Sequence, residues 1–239
     1  MYRVDIYRNA DYFMEKCIIN FASGRYVKGQ DRLSESLLKV GFDGTFLSWT
    51  KEESIGSPLH KDNPYAFKIY CFEQALNAGY TKILWVDASI YAIKPLDPIW
   101  DCVERMGYMK QYAGHLCGWW ANDKCLEYFD ITRDEAMGME MHGNGGFFAL
   151  DFENETAKEF FKRWKQAMLD GIFKGSWNND NNCESSDPRC KGHRHDMSAG
   201  SIIANQLGMV AYTPNRLMAY VGEPYGEPPE TAVMFAQGI

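Results

Sequence analysis

The chain reads as an α/β protein with a mostly parallel sheet flanked by helices. Three observations predict this. Short apolar runs of strand length alternate with amphipathic stretches of helix length. The runs are apolar throughout, as strands covered on both faces require. Glycines and Asn/Asp-Pro pairs mark the joins. At 239 residues the chain is long enough for a sizeable core, and residues 1–239 are expected to form one domain.

The elements follow in order. KCIINFASG, from Lys16 to Gly24, is a buried strand stopped by Ser23 and Gly24. GQDRLSESLLKVG places Leu33, Leu37 and Val40 on one helical face and stops at Gly41. GTFLSW, ending at Trp49, is a second strand. In DNPYAFKIYCFEQALNAG, Asp62 or Asn63 caps a helix, Pro64 suits its first turn and Gly79 ends it. TKILWVD, ending at Asp87, is the third strand. AIKPLDPIWDCVERMG gives a turn and a helix, and YMKQY a strand.

Residues 113–142 alternate short helical and loop signals. GGFFALD, from Gly145 to Asp151, is a strand. Asn154-Glu155-Thr156 opens a helix with an apolar stripe of Phe160, Phe161, Trp164 and Met168. GSWNNDNNCESSDPRCKGHRH is a long surface loop. DMSAGSIIANQLG is a helix, MVAYT a final strand, and GEPYGEPPE an irregular tail.

The formal net charge of −7 excludes a broad non-specific nucleic-acid surface, although a local basic patch leaves a nucleic-acid acceptor open. Aromatic residues make up 15%, which suits either a heavily packed core or surfaces for stacking a base or sugar. The seven cysteines form no even-numbered framework, so a reducing, cytoplasmic setting is expected. Neither a signal-peptide core nor an apolar run of membrane-spanning length is present, so no membrane span is expected.

Asp87 ends an apolar strand, and ligands of open α/β sheets bind at such ends. Ala88 and Ser89 leave room for a ligand to approach the backbone. The carboxylate either holds a divalent cation on a diphosphate or caps the next turn. Ala22, Ser23, Gly24, Arg25 and Tyr26 end another strand and suit a nucleotide cradle, with Tyr26 stacking on a base and Arg25 or Arg32 meeting phosphate. His142, Asn144 and Gly145 precede a strand, where they either meet a substrate or make a tight turn. His193, His195 and Asp196 stand before a helix, where Asp196 is either its cap or a reacting carboxylate. Cys183, Cys190, His193 and His195 also offer a zinc module of unusual spacing.

The stretch NPYAFKIYCFEQALNAGYTKILWVDASIYAIKPL resembles the core of GT-A type glycosyltransferases, a Rossmann-like fold. There, a helix with a basic residue leads into a strand ending in an Asp-x-Asp-like motif. FASGRYVKGQDRLSESL resembles their nucleotide-binding unit, GNGGFFALD their donor-sugar turn, and HDMS the acidic start of a late helix. The resemblance implies glycosyl transfer, hexosyl or pentosyl, from a nucleotide sugar to a carbohydrate or other hydroxyl acceptor, with manganese or magnesium on the diphosphate. It places Asp87 on the metal or ribose, Lys68 on the phosphates, Asn144 and Gly145 beside the sugar, and Asp196 at the reacting centre.

This chain departs from the pattern in having Asp87-Ala88-Ser89, without the second carboxylate. Metal binding then leans on His193 or His195, or the reaction runs with little metal. A non-catalytic nucleotide-sugar or carbohydrate-binding domain is the alternative on the same scaffold. The loop at 174–194 is expected to act as a lid.

Overall fold

The computed structural model describes residues 2–4, 16–142, 145–213, 216–220 and 229–238. A short strand, β1 (Tyr2–Val4), precedes β2 (Lys16–Phe21), in which every side chain from Cys17 onward is buried. A 3-10 turn at Gly24–Tyr26 leads into α1 (Val27–Lys39), which buries Leu33 and Leu37. Next come β3 (Thr45–Trp49), α2 (Phe67–Asn77), β4 (Lys82–Val86), β5 (Ile90–Ala92) and α3 (Asp97–Met106).

The middle of the chain holds β6 (Tyr108–Met109), β7 (Tyr112–Leu116), α4 (Cys117–Trp120), α5 (Asp123–Tyr128), α6 (Arg133–Met137) and β8 (Glu140–His142). Strand β9 (Phe147–Asp151) and α7 (Glu155–Leu169) follow, the helix capped by Asn154 accepting from the Ala157 N–H at 3.1 Å. The described chain ends with α8 (His195–Gln206), β10 (Met218–Tyr220) and β11 (Met234–Ala236).

The main sheet has the order β1-β3-β2-β4-β9-β6. Strands β3, β2, β4 and β6 run one way, while β1 and β9 run against them. The sheet is therefore mostly parallel, as the alternation of runs predicts. Side chains of β2 and β4 alternate between two cores. Ile19 and Trp85 join Phe72 of α2, Trp164 of α7 and Ile202 of α8 on one face. Ile18 and Leu84 join Leu37 of α1 and Val103 of α3 on the other. Two smaller sheets, β10-β11-β5 and β7-β8, complete the pairing.

A polar clamp ties the carboxyl ends of three strands together. The Asn20 amide donates to Val86 O at 2.6 Å, and Gln30 donates to Asn20 Oδ1 at 2.7 Å and to Trp49 O at 3.2 Å. Asn20 is fully buried and Gln30 nearly so, hence each bond offsets a desolvation cost.

Two expected elements differ. Helix α2 starts at Phe67, not near Asp62, because Tyr65 adopts a positive φ of 59° that no helix continues through. MVAYT forms no strand. Tyr212 makes an isolated bridge to Gln111, and its backbone is used by Lys110 O and Tyr112 N. The last described strands lie further on, in β10 and β11. Most of the expected irregular tail, residues 222–228, lies outside the described residues.

Candidate active site

Asp87 follows the last residue of β4 and is held from both sides. Its backbone N–H donates to Gly146 O at 2.8 Å, and Trp85 Nε1 donates to Oδ1 at 2.7 Å. Gly146 is glycine because of this approach: a Cβ there would stand 2.5 Å from Asp87 Oδ2. The Asp87 side chain stays 38% exposed, so one edge of the carboxylate faces solvent.

Lys68, in the first turn of α2, is fully enclosed and needs compensation for a buried ammonium. Its Nζ donates to Asp196 Oδ2 at 2.7 Å and to Gly145 O at 2.5 Å, and lies 4.0 Å from Asp87 Oδ1. The rings of Tyr65 and Trp85 lie 4.9 and 5.4 Å from it. Burial alone would lower the Lys68 pKa, but Asp196 and Asp87 outweigh it and the net direction is up. Burial pushes the Asp196 carboxyl up, with Lys68 pulling the other way. Gly145, with φ of +52°, turns its carbonyl onto Lys68.

Asp196 lies within α8, and its carboxylate goes to Lys68 rather than to the helix backbone. The residue before the helix, Arg194, makes no side-chain cap. The helix-cap role is therefore corrected, and the chain brings Asp196, Lys68, Gly145 and Asp87 together. Trp164 Nε1 fixes the turn by donating to Asp196 O at 2.9 Å.

Two clefts meet at this cluster. One, of about 630 Å³, is lined by Ala22, Ser23, Arg25, Tyr26, Ala88 and Ser89 among others. The second, of about 520 Å³, is lined by Lys68, Gly145, Asp196, Trp120, Trp177 and Arg194 among others. Asp87 and Tyr65 line both. Tyr26 is 45% exposed, with the Arg25 guanidinium 5.2 Å from its ring centre. Burial lowers the pKa of His60, which lines the first cleft.

Other expected site residues fall elsewhere. Arg32 donates to Ser89 O at 2.9 Å and Gln237 O at 3.1 Å and stacks over Tyr91, so its guanidinium braces the backbone of a cleft residue and does not line the cleft itself. Gly24 supplies only a positive φ of 58° to the turn beside Ser23. Asn144 lies outside the described residues. His195 is buried, with Nδ1 against Phe173 O at 2.9 Å and its ring near those of Tyr65, Trp177 and His193.

His193 is likewise occupied: Nδ1 accepts from Asn122 N at 3.3 Å, and Nε2 lies 2.9 Å from Ile172 O. Burial pushes the His193 pKa down to about 3. Cys183 is exposed while Cys190 is buried, its Sγ near Ala121 O and Gly192 O. The zinc module is therefore not formed.

Among the described residues the donor set around Asp87 does not fit a divalent cation. Ser89 stands where a second carboxylate is needed, Trp85 donates to one oxygen of Asp87, and His193 and His195 line neither of the clefts that Asp87 lines. Among the described residues no group of three or more His, Cys, Asp or Glu side chains can hold a metal ion.

The loop at 174–194 is tied down internally. Asn179 Oδ1 accepts from the backbone N–H groups of Glu184 and Ser185, and its amide donates to Ser185 O and Cys190 O. Lys191 N donates to Trp119 O and Arg194 N to Trp120 O. Sequence reasoning missed Tyr65, Trp120, Trp177 and Arg194. The signal for Trp177 and Arg194 was a tryptophan and a basic run inside an otherwise polar loop.

No family model matches the chain, and no curated protein matches it. Three solved structures are similar. One is the galactosyltransferase LgtC, in complex with donor and acceptor sugar analogues, at 11% identity and a TM-score of 0.47 over 92% of this chain and 86% of that one. Another is mouse xyloside xylosyltransferase 1, apo form, at 8% identity and 0.48 over 93% of this chain and 97% of that one. The third is the bifunctional glycosyltransferase WbbM, apo, at 9% identity and 0.52 over 96% of this chain. The chain spans about half of WbbM, 46% of its length. With the sheet order and the junction at Asp87, the last likeness fixes the architecture. The chain has the fold of the GT-A type glycosyltransferases.

Proposed function

We propose that the protein transfers a sugar from a nucleotide-sugar donor to a hydroxyl acceptor. The observation that carries this is the meeting of two clefts at Asp87, with the Lys68–Asp196 pair on one side of the junction only. The nucleotide occupies the cleft of Tyr26, with the base against its ring and Arg25 toward phosphate. The sugar lies near Gly145, where the missing side chain leaves room. The acceptor occupies the cleft of Trp120 and Trp177, whose volume suits one or two sugar rings.

In the reaction the acceptor oxygen bonds to the anomeric carbon. The bond from that carbon to the diphosphate oxygen breaks, with its electron pair leaving on the diphosphate. Asp196 lines the acceptor cleft but not the nucleotide cleft, which supports its taking the acceptor proton, and its raised pKa suits a general base. A base on the acceptor side implies inversion at the anomeric carbon. Leaving-group stabilisation then falls to Arg25, the cation that lines the nucleotide cleft, while the Lys68 ammonium holds the Asp196 carboxylate.

A thermal-shift screen of nucleoside diphosphates and their sugars identifies the donor, since a ligand of the folded state raises Tm by mass action. Donor turnover is then followed by proton NMR, with and without EDTA. An inverted product formed in EDTA is expected. A retained product would remove Asp196 as the base, and loss of activity restored by manganese would put a cation at Asp87. No shift and no donor turnover with any nucleotide sugar would overturn the proposal.

A further inference from the structure

Beside Asp196 the acceptor cleft carries an arrangement that neutral sugar binding does not need. Arg194 lies over two indoles, its guanidinium carbon 3.6 Å from the Trp120 ring centre and 3.8 Å from that of Trp177. Lys191 Nζ continues the stack, 4.1 Å from the Trp119 ring and 5.8 Å from that of Trp120. Tryptophans and cations thus alternate, with Trp120, Trp177 and Arg194 lining the cleft and Trp119 and Lys191 behind them. No described carboxylate pairs with either cation. Arg194 Nη1 donates to Trp177 O, and its remaining N–H groups belong to a side chain that lines the cleft.

Such packing fixes a guanidinium in place before any ligand arrives, so little ordering cost remains when an anion binds. The carboxylates of the same cleft, Asp87 and Asp196, gather around the Lys68 ammonium, whereas Arg194 and Lys191 face His115. His115, in the same cleft, has its pKa lowered by burial and then by Lys191 and Arg194. The aromatic faces toward Arg194 are already covered by cations, which leaves them less suited to stacking bases than to framing a charge. A cleft of about 520 Å³ holds one or two sugar rings rather than a polymer track.

We propose that the acceptor is an anionic sugar, bearing a carboxylate or phosphate that Arg194, with Lys191 behind it, binds in the cleft of Trp120 and Trp177. The inference rests on the glycosyl-transfer reading for the word acceptor. The anion site itself stands on the geometry. It makes Arg194 the residue that sets acceptor specificity.

The test is titration calorimetry of the full chain at low ionic strength with five probes. They are a methyl hexuronoside, its methyl ester, the neutral methyl hexoside, a hexose 6-phosphate and a ten-nucleotide oligothymidylate. A tenfold or greater preference for the uronoside over its ester, or for the phosphate over the neutral hexoside, is expected, and which of the two anions wins identifies the charged group. Arg194→Met should erase that preference, and Arg194→Lys should keep part of it, while thermal melting checks that both variants fold. Equal binding of charged and neutral probes, no binding of any sugar, or a preference retained in Arg194→Met overturns the proposal. So does tighter binding of the oligonucleotide, which would make the cleft a nucleic-acid surface. An equal loss of nucleoside diphosphate affinity in Arg194→Met would instead assign the residue to the donor. Failure of every nucleotide to shift Tm would overturn glycosyl transfer while leaving an anionic-sugar site in place.

Discussion

The cleft of Tyr26 and the cleft of Arg194 share Asp87 and Tyr65 but are assembled differently. The first is made mainly of segments that leave strands: residues 21–26 at the end of β2 and beyond it, and 87–89 after β4. The second gathers Tyr112 from β7, Trp120 from α4, Arg194 from the long loop and Asp196 from α8. Sheet hydrogen bonds position the first. The second is positioned by side-chain contacts between remote segments, of which Lys68 to Asp196 spans 128 residues. Damage to the first should therefore appear in donor binding, and damage to the second in turnover or acceptor binding.

Asp87 belongs to both clefts, so its loss should erase the distinction and give the largest effect. Asp87→Ala is expected to lower kcat/KM by about 10³-fold, the scale for a group placed at developing charge. Because the side chain is 38% exposed, Tm should change by only a few degrees. Steady-state kinetics and thermal melting check both. Wild-type kcat/KM in the folded variant would mean that the junction is not the reacting centre.

Asp196→Asn separates the clefts. Turnover should fall by roughly 10²- to 10⁴-fold, the range for a lost general base, while donor Kd stays within about twofold. The amide oxygen can still accept from Lys68, which limits the structural damage. Turnover is measured under saturating substrates and donor Kd by calorimetry. A matching loss of donor affinity would place Asp196 in the nucleotide cleft and break the comparison.

The strand-tip cleft was legible because its cues are local. Small residues at Ala22, Ser23, Ala88 and Ser89 interrupt apolar runs, and the runs fix the sheet. The spacing of apolar residues also gave the buried faces of α1 and α7. The other cleft was legible only as isolated residues. Asp196 read equally as a helix cap or a reacting carboxylate, since a carboxylate near a helix start has the first role locally and its partner, Lys68, lies in another element. Arg32 looked like a phosphate ligand because nothing nearby in sequence announces Ser89 O and Gln237 O as acceptors. Trp177 and Arg194 sat in a polar loop whose internal bonds centre on Asn179, which no periodicity reveals. MVAYT has strand composition, yet Tyr212 finds only one bridge partner in Gln111.

A smaller effect confined to the donor side is expected from Asn20→Ala. The substitution removes the amide that links β2 to Val86 O and leaves Gln30 and Val86 O short of partners. Chemical denaturation should show a loss of about 1–3 kcal/mol. Calorimetry should show several-fold weaker nucleoside diphosphate binding, with acceptor Kd unchanged. Equal weakening of both ligands would show that the clefts do not respond separately.

The least effect on turnover, with the opposite sign in stability, belongs to Lys110→Met. Lys110 is buried, its ammonium 3.8 Å from the Phe160 ring centre and 4.8 Å from that of Phe148. Burial lowers its pKa from 10.5 to about 7, with Asp196 pulling it back only partly. The unfolded chain keeps its proton up to about pH 10.5, whereas the folded chain releases it near 7. Between those values the unfolded state binds more protons, so stability rises with pH, and below 7 the full cost of the buried charge is present. Methionine removes that cost while filling similar space. The variant should therefore be more stable than wild type by roughly 2–4 kcal/mol below pH 7, and the gain should shrink toward zero by about pH 10.5. Denaturation curves across that range measure it. A gain that does not change with pH would mean that packing, not the charge, separates the two proteins. A large loss of turnover would show that the cation behind Asp196 tunes the reacting carboxylate, extending the second cleft's machinery one layer deeper.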